Sequence, residues 1–285
     1  MSITLPAFTP MEESLFLTQC GRALDSRSPH PILADTMAAE IVRKLGYDCG
    51  RFHLSASPIL NIALRAKKLD EIALSFVTRH PDAVGLDLGA GLDTRVFRIA
   101  PPPTVDWYAV DFPDVITARR LLLPDRVNAH VVAADLTDPN WLDAVPAGRP
   151  AVIVADGLLA FLAPADMVSL LKRLIDHFPS GEVAFNGYSR FAIWAAKHYH
   201  GTQSIADLIR SPGFDDPREP ERWDPRLTLV REILLTREPE VAEFPLALRL
   251  WTRLAAHSAA LSRRGTTVLQ YRFHPRKPSR TGGNG

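Results

Sequence analysis

The chain has 285 residues, 33 Lys and Arg against 32 Asp and Glu, a formal net charge of +1 and 46% hydrophobic residues. That length is ample for a substantial core. The balanced charge offers no cationic surplus to displace counterions from a phosphate backbone, so no nucleic-acid partner is expected.

Two cysteines, Cys20 and Cys49, are too few for a disulfide framework and point to a reducing, cytoplasmic setting. The opening MSITLPAFTP lacks a cationic segment followed by a long apolar run, so no signal peptide is expected. The most apolar stretch, AVIVADGLLAFLA, is broken by Asp156 and too short to span a bilayer, so no membrane partner is expected either.

Residues 1–80 carry helical patterns, ADTMAAEIVRKLG and PILNIALRAKKLDEIALSFVTRH, and no clear strand. From about Ala83 short apolar runs (AVGLDL, VDWYAV, NAHVVAA, AVIVA, GEVAFN) alternate with amphipathic stretches such as TARRLLL and ADMVSLLKRLIDHF. That alternation predicts consecutive strand–helix units and an α/β fold with a mostly parallel sheet, covered on both faces. In ADMVSLLKRLIDHF the apolar residues Met167, Leu170, Leu171, Leu174, Ile175 and Phe178 keep the spacing of a helix lying on that sheet. After the fifth strand come helices around FAIWAAKHYH and a proline-rich connection, SPGFDDPREPERWDP. A sixth strand (RLTLVREILLT), a helix (PLALRLWTRLAAHSAAL) and a last strand (TTVLQYRF) follow. No linker interrupts residues 20–274. The chain therefore reads as one domain over 1–274, a helical preface (1–80) before a sheet core (81–274). A basic, glycine-rich tail (275–285) reads as disordered.

The strongest chemical signal is LDLGAGLDTR, directly after the first strand. Gly89-Ala90-Gly91 there lets a ligand approach bare backbone; a tight turn with no ligand is the plainer alternative. Twenty residues on, Asp111 ends the second strand, placed to accept from a ribose diol, and Asp135 follows the third. Both equally suit helix N-caps. A dinucleotide turn wants Gly where Thr94 stands, and Asp87 and Asp93 would repel a pyrophosphate. S-adenosylmethionine (SAM) carries a sulfonium, an ammonium and an adenosine but no phosphate, so charge favours SAM over NAD. An NAD-dependent oxidoreductase is the alternative, weakened by the missing Tyr-x-x-x-Lys pattern. Asp87 is expected to anchor the loop through backbone amides, and Asp93 with Arg95 to form a local pair. His198 and His200, two apart on a helix, point to different sides and make no metal site. Trp194 and Tyr199 read as core aromatics or as an acceptor wall.

DLGAGLDTR, VDFPDVITARRLL, ADLTDPNW and VADGLLAFLAPADMVSLL together resemble the leucine carboxyl methyltransferase family, from about Ala23 to Phe273. Within it the chain is similar to the bacterial branch near the tetracenomycin-pathway carboxyl O-methyltransferases. The resemblance implies a class I SAM methyltransferase fold with a Rossmann-like seven-stranded sheet, its last strand antiparallel, and a helical lid. It also implies SAM as cofactor and a small, polyketide-like acceptor.

Carried across, Arg65 matches the arginine for the methionine carboxylate, and Gly89, Ala90 and Gly91 the turn beneath the amino-acid moiety. Asp111, followed by Phe112, matches the ribose acid, and Asp135 with Leu136 the adenine pair. Asp156 stands where the family has Glu, in place for the ammonium. Phe161 stands where the family often has Tyr, which removes a hydroxyl near the transferred methyl. These two departures keep a non-catalytic SAM-binding protein open. No general base is evident: His30 and His53 fall in the preface among many incidental residues. A carboxylate acceptor needs no base, whereas a phenol gains about 10²–10⁴-fold from one. Arg190, after the fifth strand, and Arg27 are the candidates for holding an acceptor carboxylate.

Overall fold

The computed structural model describes residues 4–198 and 203–274. In chain order it contains α1 (Pro10–Glu13), α2 (Leu15–Ser26), α3 (Thr36–Leu45), α4 (Ala56–Arg79), β1 (Val84–Leu88), α5 (Arg95–Ile99), β2 (Asp106–Asp111), α6 (Pro113–Leu122) and β3 (Ala129–Ala133). Then follow β4 (Ala151–Ala155), α7 (Pro164–His177), β5 (Gly181–Tyr188), α8 (Arg190–His198), α9 (Gln203–Ala206), α10 (Glu219–Trp223), β6 (Leu227–Leu234), α11 (Leu246–Ala256), α12 (Ala259–Ser262) and β7 (Thr266–Phe273). Tyr199, His200 and the tail 275–285, all read from the sequence, lie outside the described residues.

The strands form one seven-stranded sheet in the order β3-β2-β1-β4-β5-β7-β6. Pairing is parallel from β3 to β5, and β7 runs antiparallel to both neighbours. This is the class I methyltransferase topology the resemblance implied. The apolar strand runs feed two cores because successive side chains leave opposite faces. Leu86 and Ile153 join α7 through Met167, Leu170, Leu174 and Ile175. Val152 and Val154 join α4 through Leu69, Ile72 and Phe76 on the other face. All six apolar residues expected along the α7 segment are buried, each contributing about 1.5–3 kcal/mol of transfer free energy. Burial thus explains why those strands read as continuous apolar runs.

Three expectations need correction. The N-terminal segment holds α1 and α2 beyond the two helical patterns recognised in it. In α2 the side chains of Gln19, Arg22 and Asp25 are buried alongside the apolar ones, so polarity does not mark a solvent face and the helical period is masked. Cys20 and Cys49 are joined in a disulfide, their Cα atoms 5.5 Å apart, which ties α2 to the turn before α4. Finally, the stretch PLALRLWTRLAAHSAAL, read as one helix, is divided into α11 and α12; α11 buries none of its residues, and Leu246, Leu250, Trp251 and Leu254 are exposed.

Candidate functional site

The carboxyl ends of β1, β2 and β4 meet at one edge, the crevice where open α/β sheets bind ligands. There the chain leaves β1 through Gly89 and Gly91, with φ of +61° and +50°, a region that costs residues with a Cβ. A Cβ on Gly89 would come within 3.0 Å of Leu158 Cδ1. Asp111 buttresses the turn: its Oδ2 accepts the Gly91 N–H at 2.7 Å and its Oδ1 the Phe112 N–H at 2.7 Å. Burial pushes this carboxyl above its ordinary value, while the two backbone donors pull the other way. From behind, Arg119 of α6 donates through Nη1 to the carbonyls of Gly91 (2.8 Å) and Asp93 (3.0 Å).

Beneath the turn lies a buried charge network. Asp87 accepts from Arg95 Nε at 2.8 Å and Trp107 Nε1 at 3.0 Å. It anchors the loop through side chains, correcting the expectation of backbone amides. Arg95 also pairs with Asp70 of α4 and, at 3.4 Å, with Asp93, so the pair expected there is one strand of a larger net. Arg98 reaches Asp35, Asp93 and Asp70 at 2.8, 2.8 and 2.7 Å, and Arg22 of α2 reaches Asp93 at 3.4 Å. Burial drives the Asp93 carboxyl up, but Arg22, Arg98 and Arg95 outweigh it and hold the group well below the ordinary range. Thr94 donates to Asp35 Oδ2 at 2.7 Å and is fully buried. The network therefore fastens the helical preface to the edge of the sheet that carries the glycine turn.

A cavity of about 240 Å³ opens above the turn. Asp87, Gly89, Ala90, Gly91, Asp111, Phe112, Asp135, Leu136 and Asp156 all line it, so the sequence candidates of this group converge on one space. Its ionisable lining is Glu12, Asp87, Asp93, Asp111, Asp135 and Asp156 against Arg22 and Arg210. That excess of acid suits a cation and opposes a pyrophosphate. Asp135 Oδ1 is engaged by the N–H and hydroxyl of Thr137, both at 2.8 Å. Arg65 lies one step away. Its Nε stands 2.9 Å from Asp156 Oδ1 and its Nη1 donates to the Tyr188 hydroxyl at 3.1 Å. Neither Asp156 oxygen receives a hydrogen bond, although both are buried.

A second cavity, about 450 Å³, adjoins the first at Ser14, Thr18, Gly157 and Phe161. Apolar side chains from α2, α4 and α8 dominate its wall, with Arg65, Tyr188 and Arg264 as the ionisable groups. Arg190 and Arg27 line neither cavity. Arg190 opens α8 with its side chain 72% exposed, 4.0 Å from Asp215, and Arg27 is exposed and donates to the Ala39 carbonyl. The structure withdraws both as acceptor-side groups, because both side chains point to solvent. His30 and His53 are likewise exposed and outside both cavities.

Sequence reasoning missed Met11, Glu12, Ser14, Leu15, Thr18 and Arg22, which close the first cavity from α1 and α2. A signal existed. Thr9-Pro10-Met11-Glu12 is a capping box with Pro at the first helical position.

Residues 16–175, more than half of the chain, match the family described as Leucine carboxyl methyltransferase. A tetracenomycin polyketide synthesis O-methyltransferase, TcmP of Streptomyces glaucescens, is 36% identical over 93% of this chain and 97% of its own. The chain belongs to the leucine carboxyl methyltransferase family. Membership makes it a SAM-dependent methyltransferase, and no relative supports an NAD-dependent oxidoreductase. A Gibberella zeae family relative, named a SAM-dependent methyltransferase, is 32% identical over 77% of this chain and 80% of its own. The fold is shared with a methyltransferase of Thermobifida fusca (TM-score 0.54, 19% identity, 90% of this chain and 94% of that one). It is shared also with the plantazolicin methyltransferase BamL (TM-score 0.51, 8% identity, 93% and 98%).

Proposed function

We propose that the protein transfers the SAM methyl group to an oxygen, by preference a carboxylate oxygen, of a small aromatic, polyketide-like acceptor. The observation that carries this is the pairing of an acid-lined cavity with an apolar one, joined at Gly157 and Phe161. The name borne by the Streptomyces relative supports the polyketide-like class.

The residues present fit SAM. The buried Asp156 carboxylate has Arg65 Nε 2.9 Å away but receives no well-aligned hydrogen bond, which leaves it acceptor capacity for an ammonium. Arg65 beside it suits the methionine carboxylate. Asp111 spends one backbone N–H bond on each oxygen and keeps acceptor capacity for a ribose diol. Gly89, Ala90 and Gly91 would present backbone to the amino-acid moiety, and Phe112, Asp135 and Leu136 would flank the adenine.

Bound SAM would supply a methyl carbon on a cationic sulfur, so that the acceptor oxygen's lone pair would form the C–O bond as the C–S pair passed to sulfur and a carboxylate would become a neutral ester. No proton moves, which agrees with a lining that holds neither His nor Lys among the described residues. The protein's part is alignment and exclusion of water by side chains such as Leu17, Ile62 and Ile209. Such positioning is worth up to about 7–11 kcal/mol of barrier.

In this reading residues 1–274 act as one unit, with 1–80 as the lid, and no nucleic acid takes part. In this reading the setting is cytoplasmic. The Cys20–Cys49 bond pulls against it, and thiol counting on protein alkylated at lysis decides between them.

The reaction is tested with SAM carrying a labelled methyl and a panel of aromatic carboxylates and phenols. Label in base-labile esters is the expected result. Label in base-stable ethers would move the acceptor to a hydroxyl, and no transfer by protein that binds SAM would favour a non-catalytic role.

A further inference from the structure

The second cavity lacks a hydroxyl at Phe161, yet another phenol reaches it. Tyr188 is the last residue of β5, lines that cavity, and packs with Phe161 against Ala160, Ile193 and Ile209 in one small cluster. Its hydroxyl oxygen accepts from Arg65 Nη1 at 3.1 Å. The phenolic proton is not given to the neighbouring Asp156, because neither oxygen of that carboxylate receives a hydrogen bond. The proton therefore has no acceptor among the described residues, is polarised by a guanidinium and lies in the wall of the second cavity.

We propose that Tyr188 is the acceptor-side hydrogen-bond donor, holding one oxygen of an acceptor carboxylate while the other oxygen takes the methyl group. This deepens the proposed function and rests on the second cavity being the acceptor site. The cavity's lining supports an anion: beside Arg65, which pairs with Asp156, it contains Tyr188 and Arg264 and no carboxylate among the described residues. Arg264 sits at the surface end, its guanidinium 5.2 Å from the Phe191 ring. Burial raises the Tyr188 phenol above its ordinary value against the opposing effect of Arg65, so it stays protonated and able to donate. Tyr188 gives up no proton in the reaction. It fixes the carboxylate's orientation and selects acceptors with an apolar body and an anionic oxygen over neutral ones of the same shape.

The test uses full-length protein saturated with S-adenosylhomocysteine (SAH) and titrated with 2-anthroate, a flat aromatic carboxylate, or with its methyl ester. The wild type should bind the anthroate, and Tyr188→Phe should bind it about 10–100-fold more weakly, the loss expected for one hydrogen bond to a charged group. SAH affinity should fall far less than anthroate affinity, because Arg65 loses the Tyr188 oxygen but keeps Asp156, and the ester should bind both proteins alike. If Tyr188→Phe fails to fold, the wild type still decides by its preference for anthroate over ester. Equal anthroate affinity in the variant, an ester bound by wild type as tightly as the acid, or a wild type that binds SAH but refuses the anthroate each overturn the proposal. Failure of SAH itself to bind would instead strike the cofactor reading beneath it.

Discussion

Asp111→Asn removes a charge while keeping the side chain's shape, and the structure assigns that change two separable costs. The native carboxylate accepts one backbone N–H on each oxygen, both at 2.7 Å. An amide has one oxygen, so either Gly91 or Phe112 would face an NH₂ donor to donor. Leaving one buried N–H unsatisfied costs about 1–3 kcal/mol. Burial already penalises the charged form of this residue, and Asn relieves that penalty, so the stability loss falls at the low end of that range.

The ligand side has no such relief. An ionised carboxylate offers about four acceptor sites, of which two are used by the loop, and the remainder suit a vicinal diol. Losing a hydrogen bond to a charged acceptor costs about 1.5–3 kcal/mol, or roughly 10–150-fold in Kd. The expected signature is an SAH affinity reduced far more than urea stability, measured by calorimetry and equilibrium unfolding. The loss should shrink when the ligand is the 2′,3′-dideoxy analogue of SAH. Asp111→Asn binding SAH like the wild type, or losing as much affinity for the dideoxy analogue, would refute the ribose role.

Gly89→Ala places a Cβ at φ +61°, 3.0 Å from Leu158 Cδ1; the left-handed conformation costs about 1–2 kcal/mol, so a melting temperature lower by a few degrees and weaker SAH binding are expected, and an unchanged variant would refute the strained turn. The Cys20–Cys49 bond spans 29 residues, for which chain entropy gives about 3–4 kcal/mol; reductant or Cys49→Ser should lower the urea midpoint accordingly, and coincident curves with and without reductant would show the bond is not formed. Asp93, held below its ordinary value by Arg22, Arg98 and Arg95, adds stability that is fully present above the unfolded carboxyl value of about 3.9 and lost as pH falls through its lower folded value. Asp87, pushed up by burial, blunts that trend from above. Urea midpoints from pH 7 to 3 should therefore fall most steeply at the acid end and more shallowly in Asp93→Asn; parallel profiles would contradict the network's role.

The sheet was readable because its inner strands are buried on both faces and so keep unbroken apolar runs, as Val152, Ile153 and Val154 do at 0% exposure. The glycine-turn edge was readable because backbone geometry demands glycine and hydrogen bonding demands acid at strand ends, and both demands fall on short, ordered stretches of chain. The lid was not. Arg22 meets Asp93 across 71 residues and Arg98 meets Asp35 across 63. Nothing local distinguishes such arginines from solvated ones. Arg190 failed in the opposite sense: its place after β5 was read correctly, but helix phase, which depends on what α8 packs against, turned it outward. Tyr188, two residues earlier, is the group that faces the cavity.

The most direct test of the whole account is a crystal structure of the protein grown with SAH. The account predicts the ribose hydroxyls on Asp111, the amino group at Asp156, and the sulfur at the junction by Gly157 and Phe161, facing the cavity that Tyr188 lines. SAH bound with its ribose away from Asp111, or with its sulfur turned from that junction, would contradict it.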